Sequence, residues 1–282
     1  MENIKAIGVD VGGSNVRDGL VKGKNIIATA KSKLPISKDY MAVMETIFNC
    51  IDEIFDEEVK GIGVGVPSVV DRLSGVVYNV QNIPSWTEVP LKNILEQRYS
   101  RPTYVNNDAN CFALGESLFG IGQKYHNFVG IAIGTGIGGG IINNGKLLFD
   151  VNCGAGEFGE MIYLDSKFED YCSGIFFNGK HQTTGEEIFN NVRAGDETAQ
   201  RICNEFGVHL GRLLYSVILA LDPEAILLGG SIAKAYDLYK NSVMLELKKF
   251  PYPRTIEKLI IECTETPDIQ ILGSAALYYN YR

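Results

Sequence analysis

Apolar and polar residues alternate from Ile4 to Val11, the run ends at Gly12-Gly13, and a second apolar-rich stretch follows from Val16 to Val21. A period of two marks half-buried strands. Lys22-Gly23-Lys24-Asn25 reads as the turn into a third strand, so a β-meander is expected at the start of the chain. Tyr40, Met44, Ile47, Phe48, Ile51, Ile54 and Phe55 then recur three or four residues apart, which places them on one face of a helix. The short apolar run Gly61 to Val66, closed by Pro67, is too brief for a helix and reads as a buried strand. Thr103-Tyr104-Val105 is another, running through Asn106-Asn107-Asp108 into a helical segment from Ala109 to Phe119. Ile202, Phe206, Leu210, Leu213, Leu214, Val217, Ile218 and Leu221 mark a long helix stopped by Asp222-Pro223, and Ala225 to Leu228 is a strand ending at Gly229-Gly230. Strands and helices in alternation predict an α/β architecture.

The chain also resembles itself. At an offset of 122 residues Gly134 falls on Gly12, Gly130 on Gly8, Gly145 on Gly23 and Lys146 on Lys24. Each copy reads as a strand (Phe128 to Ile133 in the second), a glycine-rich turn and a second strand, with Asn143-Asn144-Gly145 as the later hairpin turn. Two similar sheets, each presenting one glycine turn, are therefore expected.

Composition narrows the function classes. The 282 residues are 45% hydrophobic and 21% charged, which excludes intrinsic disorder and fits one large domain or two. A formal net charge of -8 and a pI near 5.0 leave no electrostatic footprint for nucleic acid. No apolar run is long enough for a membrane span and no signal-peptide stretch follows Met1, so a cytoplasmic protein is expected. The six cysteines are widely spaced, never in a CxxC pair, and read as buried thiols.

Glycine turns with small hydroxyl residues let backbone N–H groups approach phosphate oxygens. Gly12-Gly13-Ser14-Asn15 and Gly134-Thr135-Gly136-Ile137-Gly138 both have that chemistry, although each is equally compatible with an ordinary tight hairpin. Neither is a P-loop or a Rossmann fingerprint, since a strand pattern follows each. Asp10 ends the first buried strand where the second copy has Ala132. It is read as facing Mg²⁺, directly or through water, with a local turn-stabilising role as the alternative. Asn107-Asp108 sits where a strand meets a helix, a position suited to capping and equally to a carboxylate that accepts a hydroxyl proton. Gly154-Ala155-Gly156-Glu157-Phe158-Gly159-Glu160 sets two acids among small residues, either a solvated loop or a set of acceptors for sugar hydroxyls.

Taken in order, DVGGSNVRDGLV, GVGVPSVVD, NIPSW, NNDANCFALGE, GTGIGGGIINNGKL, GAGEFGE, FEDYCSG, LDPEAILLGGSI and LGSAAL closely resemble the ROK family of sugar kinases and sugar-responsive repressors. The resemblance covers nearly the whole chain. It implies the two-domain actin-like (ribonuclease-H-like) α/β fold, with ATP and a hexose bound in the cleft between domains. Residues 1–107, completed by the C-terminal helix 270–282, would form the smaller domain and residues 108–269 the larger. By the same resemblance Asp108 is the catalytic base, and Ser68, Asn82, Asn107, Glu157 and Glu169 are sugar ligands. Asp10, Gly12, Gly13, Ser14 and Asn15 form one phosphate turn, Gly134, Thr135 and Gly136 the other, and Gly229 and Gly230 lie beside the adenosine.

This sequence departs from the family pattern at two linked places. Glu160 stands where the family usually has a His, and Met161 to Phe168 bridges the position of the family's CxCGxxGC zinc loop with no Cys or His at all. The structural zinc is therefore expected to be absent, and Glu160 is either a third sugar-site acid or turned outward to a cation or solvent. The phosphate strand begins almost at Met1, read as leaving no helix-turn-helix and favouring the kinase branch. The expectation is an ATP- and Mg²⁺-dependent kinase acting on the 6-hydroxyl of a hexose, glucose first, and a homodimer by resemblance. An N-acetylmannosamine or N-acetylglucosamine kinase, and a non-catalytic sugar sensor, are the alternatives.

Overall fold

The computed structural model describes residues 4–80 and 82–281; of the segments named above, Met1, Glu2, Asn3, Gln81 and Arg282 lie outside the described residues. The strands are β1 (Lys5–Val11), β2 (Asn15–Lys22), β3 (Asn25–Lys33), β4 (Val59–Val66), β5 (Val69–Asp71), β6 (Val76–Tyr78), β7 (Glu88–Val89) and β8 (Thr103–Asn107), followed by β9 (Phe128–Ile133), β10 (Ile137–Asn143), β11 (Lys146–Leu147), β12 (Ile162–Tyr163), β13 (Ser166–Lys167), β14 (Ala225–Gly229) and β15 (Ile260–Cys263). The α-helices are α1 (Tyr40–Ile54), α2 (Leu91–Tyr99), α3 (Asp108–Phe119), α4 (Phe168–Cys172), α5 (Gly185–Arg193), α6 (Glu197–Leu221), α7 (Tyr236–Leu247), α8 (Pro253–Lys258) and α9 (Ile269–Asn280). The fold is the mixed α/β arrangement that the resemblance implies.

Two five-stranded sheets share one plan. Their orders are β3-β2-β1-β4-β8 and β11-β10-β9-β14-β15. The repeat read at an offset of 122 residues pairs β1 with β9 and β2 with β10, and the common strand order extends that likeness to β4 with β14 and β8 with β15.

The chain divides into two compact units. The first holds residues 1–124, 140–155 and 266–282, and the second residues 125–139 and 156–265. This division keeps α3 with the first unit, where the sequence reading set a boundary after residue 107. The reason is packing: a Cβ at Gly115 of α3 would stand 2.7 Å from the Ile269 carbonyl of α9, and one at Gly273 of α9 would stand 1.9 Å from the Cys111 carbonyl of α3. The segment 140–155 joins the same unit through the buried Arg72, whose guanidinium pairs with Asp150 at 3.0 Å and donates to the Leu148 carbonyl at 2.8 Å.

In the first unit β1, β2 and β3 form the expected antiparallel meander, while β4 pairs parallel with β1 and with β8. One face of the sheet meets α1. Asp39 caps this helix by accepting from Met41 N at 2.9 Å, and its apolar stripe of Met44, Ile47 and Ile51 is buried with Val9, Val16 and Leu20. On the other face α9 comes so close that side chains are excluded from the strands: a Cβ at Gly8 would lie 2.1 Å from the Ile271 carbonyl oxygen, and one at Gly63 only 1.8 Å from that of Ser274.

The second unit is built on the parallel strands β9, β14 and β15. Its core joins Val129, Ile131, Ile226 and Leu228 of the sheet to Phe206, Leu210 and Leu214 of α6 and Tyr239 of α7. Asp196 caps α6 with bonds from Thr198 N and Ala199 N, and the helix ends on a left-handed Asp222 just before Pro223. Met161 to Phe168, unassigned from sequence, contains the hairpin β12–β13, with Leu164 at positive φ in its turn.

Candidate active site

The first glycine turn folds tightly because Gly12 N donates to the Asn15 carbonyl at 2.8 Å, and Asn15 Nδ2 donates to Ser14 Oγ at 3.0 Å. Asp10, Gly12, Gly13, Ser14 and Asn15 line a cavity of about 330 Å³, together with Arg17 and Lys31. Antiparallel register explains the two cations: Asp10 faces Arg17 across β1–β2, and Arg17 faces Lys31 across β2–β3, so the three share one face of the sheet. A Cβ at Gly13 would stand 2.8 Å from Cβ of Asn82, which sets that expected sugar ligand against the phosphate turn.

Arg17 engages one oxygen of Asp10 twice, Nη2 at 2.6 Å and Nε at 3.2 Å, and reaches Asp268 at 3.4 Å. Burial raises the Asp10 carboxyl above the ordinary carboxylate value, and Arg17 pulls the other way. Both Arg17 contacts fall on Oδ2. No three His, Cys, Asp or Glu side chains converge on a metal position among the described residues. Asp10 is the carboxylate among the residues lining this cavity, an oxygen donor of the type a hard cation such as Mg²⁺ takes.

The capping question at the β8–α3 junction has a clear outcome. Asn107 is the N-cap: its Oδ1 accepts from Ala109 N at 2.8 Å and Asn110 N at 3.3 Å. Asp108 is the first helical residue, and its Oδ1 shares the Ala109 N–H at 2.8 Å. Asn107 Nδ2 also donates to the Ser68 carbonyl at 3.3 Å, so these two expected sugar ligands are neighbours. The parallel strands order the whole edge. Asp10 lies in register with Gly65, and Val66 with Asn107, so the glycine turn, Ser68 and Asp108 follow the carboxyl ends of β1, β4 and β8 respectively. Ligand sites of open α/β sheets form at such ends.

In the second unit the Gly134-Thr135-Gly136 turn is closed by Gly134 N donating to the Gly136 carbonyl at 2.9 Å, and Gly174 N donates to the Gly134 carbonyl at 2.8 Å. Gly229 pairs with Ala132 across β14–β9, so Gly229 and Gly230 lie beside this turn. Gly230 has φ +88° and a Cβ there would be 2.2 Å from the Ile133 carbonyl oxygen, so both conformation and space require glycine. Glu169 Oε2 accepts from Ile137 N at 3.2 Å, fastening that acid to the same turn. Glu157 is half-buried and precedes the single 3₁₀ turn Phe158–Glu160. Glu160 points to Lys167, with Oε1 at 2.5 Å from the ammonium and the side chain 55% exposed.

The first unit thus brings together Asp10, Gly12 to Asn15 and Asn82, and separately Ser68, Asn107 and Asp108; the second gathers Gly134 to Gly136, Gly229, Gly230 and Glu169, with Glu157 and Glu160 shortly before Glu169 in the chain. Arg17, Lys31 and Lys167 were missed from sequence. For the first two a signal existed, because a β-meander starting at Asp10 puts Arg17 and Lys31 opposite it once the register is counted. Lys167 had none, since its role depends on a hairpin that no periodicity announces.

Similarity to known proteins runs along nearly the whole chain. The Thermotoga maritima glucokinase is 28% identical, with 98% of each chain covered, and the Listeria innocua beta-glucoside kinase is 32% identical, with 96% of each covered. Among solved structures, a ROK family glucokinase from Streptomyces griseus in complex with glucose and AMPPNP superimposes with a TM-score of 0.80 at 26% identity, covering 97% of this chain and 98% of that one. The model of the ROK family matches residues 6–280. With that match spanning all but a few terminal residues, this chain belongs to the ROK family.

Proposed function

We propose that the protein is an ATP-dependent sugar kinase that phosphorylates the 6-hydroxyl of a hexose, glucose above others. The observation that carries this reading is the common edge of the first sheet, where a phosphate-sized glycine turn and the carboxylate of Asp108 follow parallel strands separated only by β4. Phosphoryl transfer to an alcohol needs a donor cradle and a proton acceptor, and little else of the protein.

In the proposed reaction the 6-hydroxyl oxygen attacks the γ-phosphorus in line. The new O–P bond forms as the bond from the γ-phosphorus to the β–γ bridging oxygen breaks, ADP leaves, and the hydroxyl proton passes to Asp108. Asn107 is the N-cap of α3 and holds the Asn110 N–H by itself, while Asp108, the first helical residue, shares only the Ala109 N–H with it, through Oδ1. Backbone N–H groups of Gly13 to Asn15 and the Lys31 ammonium would hold the donor phosphates, and Arg17 holds Asp10 in place. Mg²⁺, arriving with the nucleotide near Asp10, would supply charge stabilisation to the phosphates.

An ADP-release assay across glucose, mannose, N-acetylglucosamine, N-acetylmannosamine and a β-glucoside tests both levels of the reading. Glucose is expected to give the highest kcat/KM. A higher value for an N-acetylated sugar would replace the substrate assignment, and no sugar-dependent ADP release would reject the kinase assignment.

A further inference from the structure

We propose that Lys167 is a positioning residue that fixes the carboxylate of Glu169 for binding the acceptor sugar. The inference rests on the reading of Glu169 as a sugar ligand and goes beyond it, because the residue it adds has no counterpart among the ligands the family resemblance supplied.

Three observations carry it. Lys167 Nζ lies 2.5 Å from Glu160 Oε1 and 3.2 Å from Glu169 Oε1, so one ammonium bridges two carboxylates that would otherwise repel each other. The other Glu169 oxygen accepts from Ile137 N, and a Cβ at Gly136 would stand 2.4 Å from it, so Glu169 is pressed against the second glycine turn. Its two oxygens are therefore held by different elements, one by the turn and one by the hairpin β12–β13.

The hairpin itself is anchored, which makes the ammonium a fixed point. Tyr163 stacks on Phe168 with ring centroids 4.1 Å apart and planes 12° from parallel. Its hydroxyl accepts from Arg212 Nη1 at 2.9 Å and meets His209 Nδ1 at 3.0 Å, both groups on α6. Lys167 is 29% exposed and Glu169 18%, so the pair is shielded enough for its geometry to persist, unlike two mobile surface charges. An ionised carboxylate only accepts hydrogen bonds. Clamped this way, Glu169 presents its remaining acceptor capacity in one direction, as a neutral polyhydroxylated ligand requires, while Glu160 balances the ammonium from the solvent side.

The test compares wild type, Lys167→Gln, Lys167→Arg and Glu169→Gln in two assays: glucose titrated by calorimetry, and steady-state kinetics with glucose and ATP varied separately. Losing a charge-assisted bond to the ligand-holding carboxylate should weaken glucose binding and raise the glucose KM about tenfold in Lys167→Gln. The ATP KM should stay within about twofold. Lys167→Arg should recover most of the loss, and Glu169→Gln should weaken glucose at least as much. The proposal is overturned if Lys167→Gln lowers the melting temperature or kcat with glucose affinity unchanged, which is a purely structural role, or if Glu169→Gln leaves glucose binding intact. Wild type that neither binds nor phosphorylates glucose would instead overturn the sugar reading itself and this proposal with it.

Discussion

Asp18 sits on β2 between Val9 and Ala30, fully buried, with neither carboxyl oxygen hydrogen-bonded among the described residues. The polar group facing it is the Cys50 thiol of α1, itself pushed up to about 12 by burial first and by Asp18 next. Burial foremost, and then the nearby charge of Asp10, hold the Asp18 carboxyl well above its ordinary value of 3.8. A raised folded-state value means that the native protein keeps a proton which the unfolded chain releases. Stability from this group is complete below pH 3.8 and falls as pH rises towards the folded value, by about 1.4 kcal/mol per pH unit. Asp18→Asn carries no proton and lacks this slope. Its stability relative to wild type should climb with pH above 3.8, by about 1.4 kcal/mol per pH unit for as long as the folded carboxyl keeps its proton. The offset between the curves also contains the cost of burying an amide, so the slope is the diagnostic quantity. Trp86, the sole tryptophan, is 1% exposed within the same core, and its fluorescence during urea unfolding at each pH reports this unit. Curves that stay parallel to within about 0.5 kcal/mol from pH 5 to pH 8 would mean that Asp18 is ionised in the fold, and would refute the argument.

Gly13→Ala should push Asn82 aside, given the 2.8 Å approach, and raise the ATP and sugar KM values together by several-fold with stability changed by less than about 1 kcal/mol; kinetics and thermal melts check it. Tyr163→Phe removes the hydroxyl that joins Arg212 and His209 and should cost about 1–2 kcal/mol, read by denaturation of the second unit with far-UV circular dichroism. Glu160→Gln, at a carboxylate 55% exposed and turned to Lys167, should shift the glucose KM by less than about threefold, and a larger change that differs between glucose and mannose would place Glu160 against the sugar.

What the sequence disclosed was local or repetitive. The spacing of Met44, Ile47 and Ile51 named the buried face of α1, the alternation from Ile4 to Val11 with the stretch Val16 to Val21 after it named the meander, and the offset copy named the second sheet, because each signal is local or is written twice. Asn107 and Asp108 were identified together, yet only the bonds from Ala109 N and Asn110 N divided the labour, with Asn107 as the cap. Long-range approach was not legible. Gly8 and Gly63 read as strand glycines, and nothing in their neighbourhood foretold the α9 backbone some 200 residues or more later in the chain. The same holds for Arg17 reaching Asp268 and for Lys167 joining Glu160 to Glu169, which depend on where a turn and a short hairpin aim their side chains.

The central claim is that Asp108 accepts the proton of the sugar hydroxyl while Asn107 is the N-cap of α3. Glucose-dependent ADP release by wild type and Asp108→Asn, with both melting temperatures recorded, tests it most directly. The account predicts a kcat lower by about 10²–10⁴ in the variant with an unchanged melting temperature, since Asn is nearly isosteric and the Asn107 cap is untouched. A variant that keeps more than about a tenth of wild-type turnover would contradict it, because loss of a general base costs at least about a hundredfold.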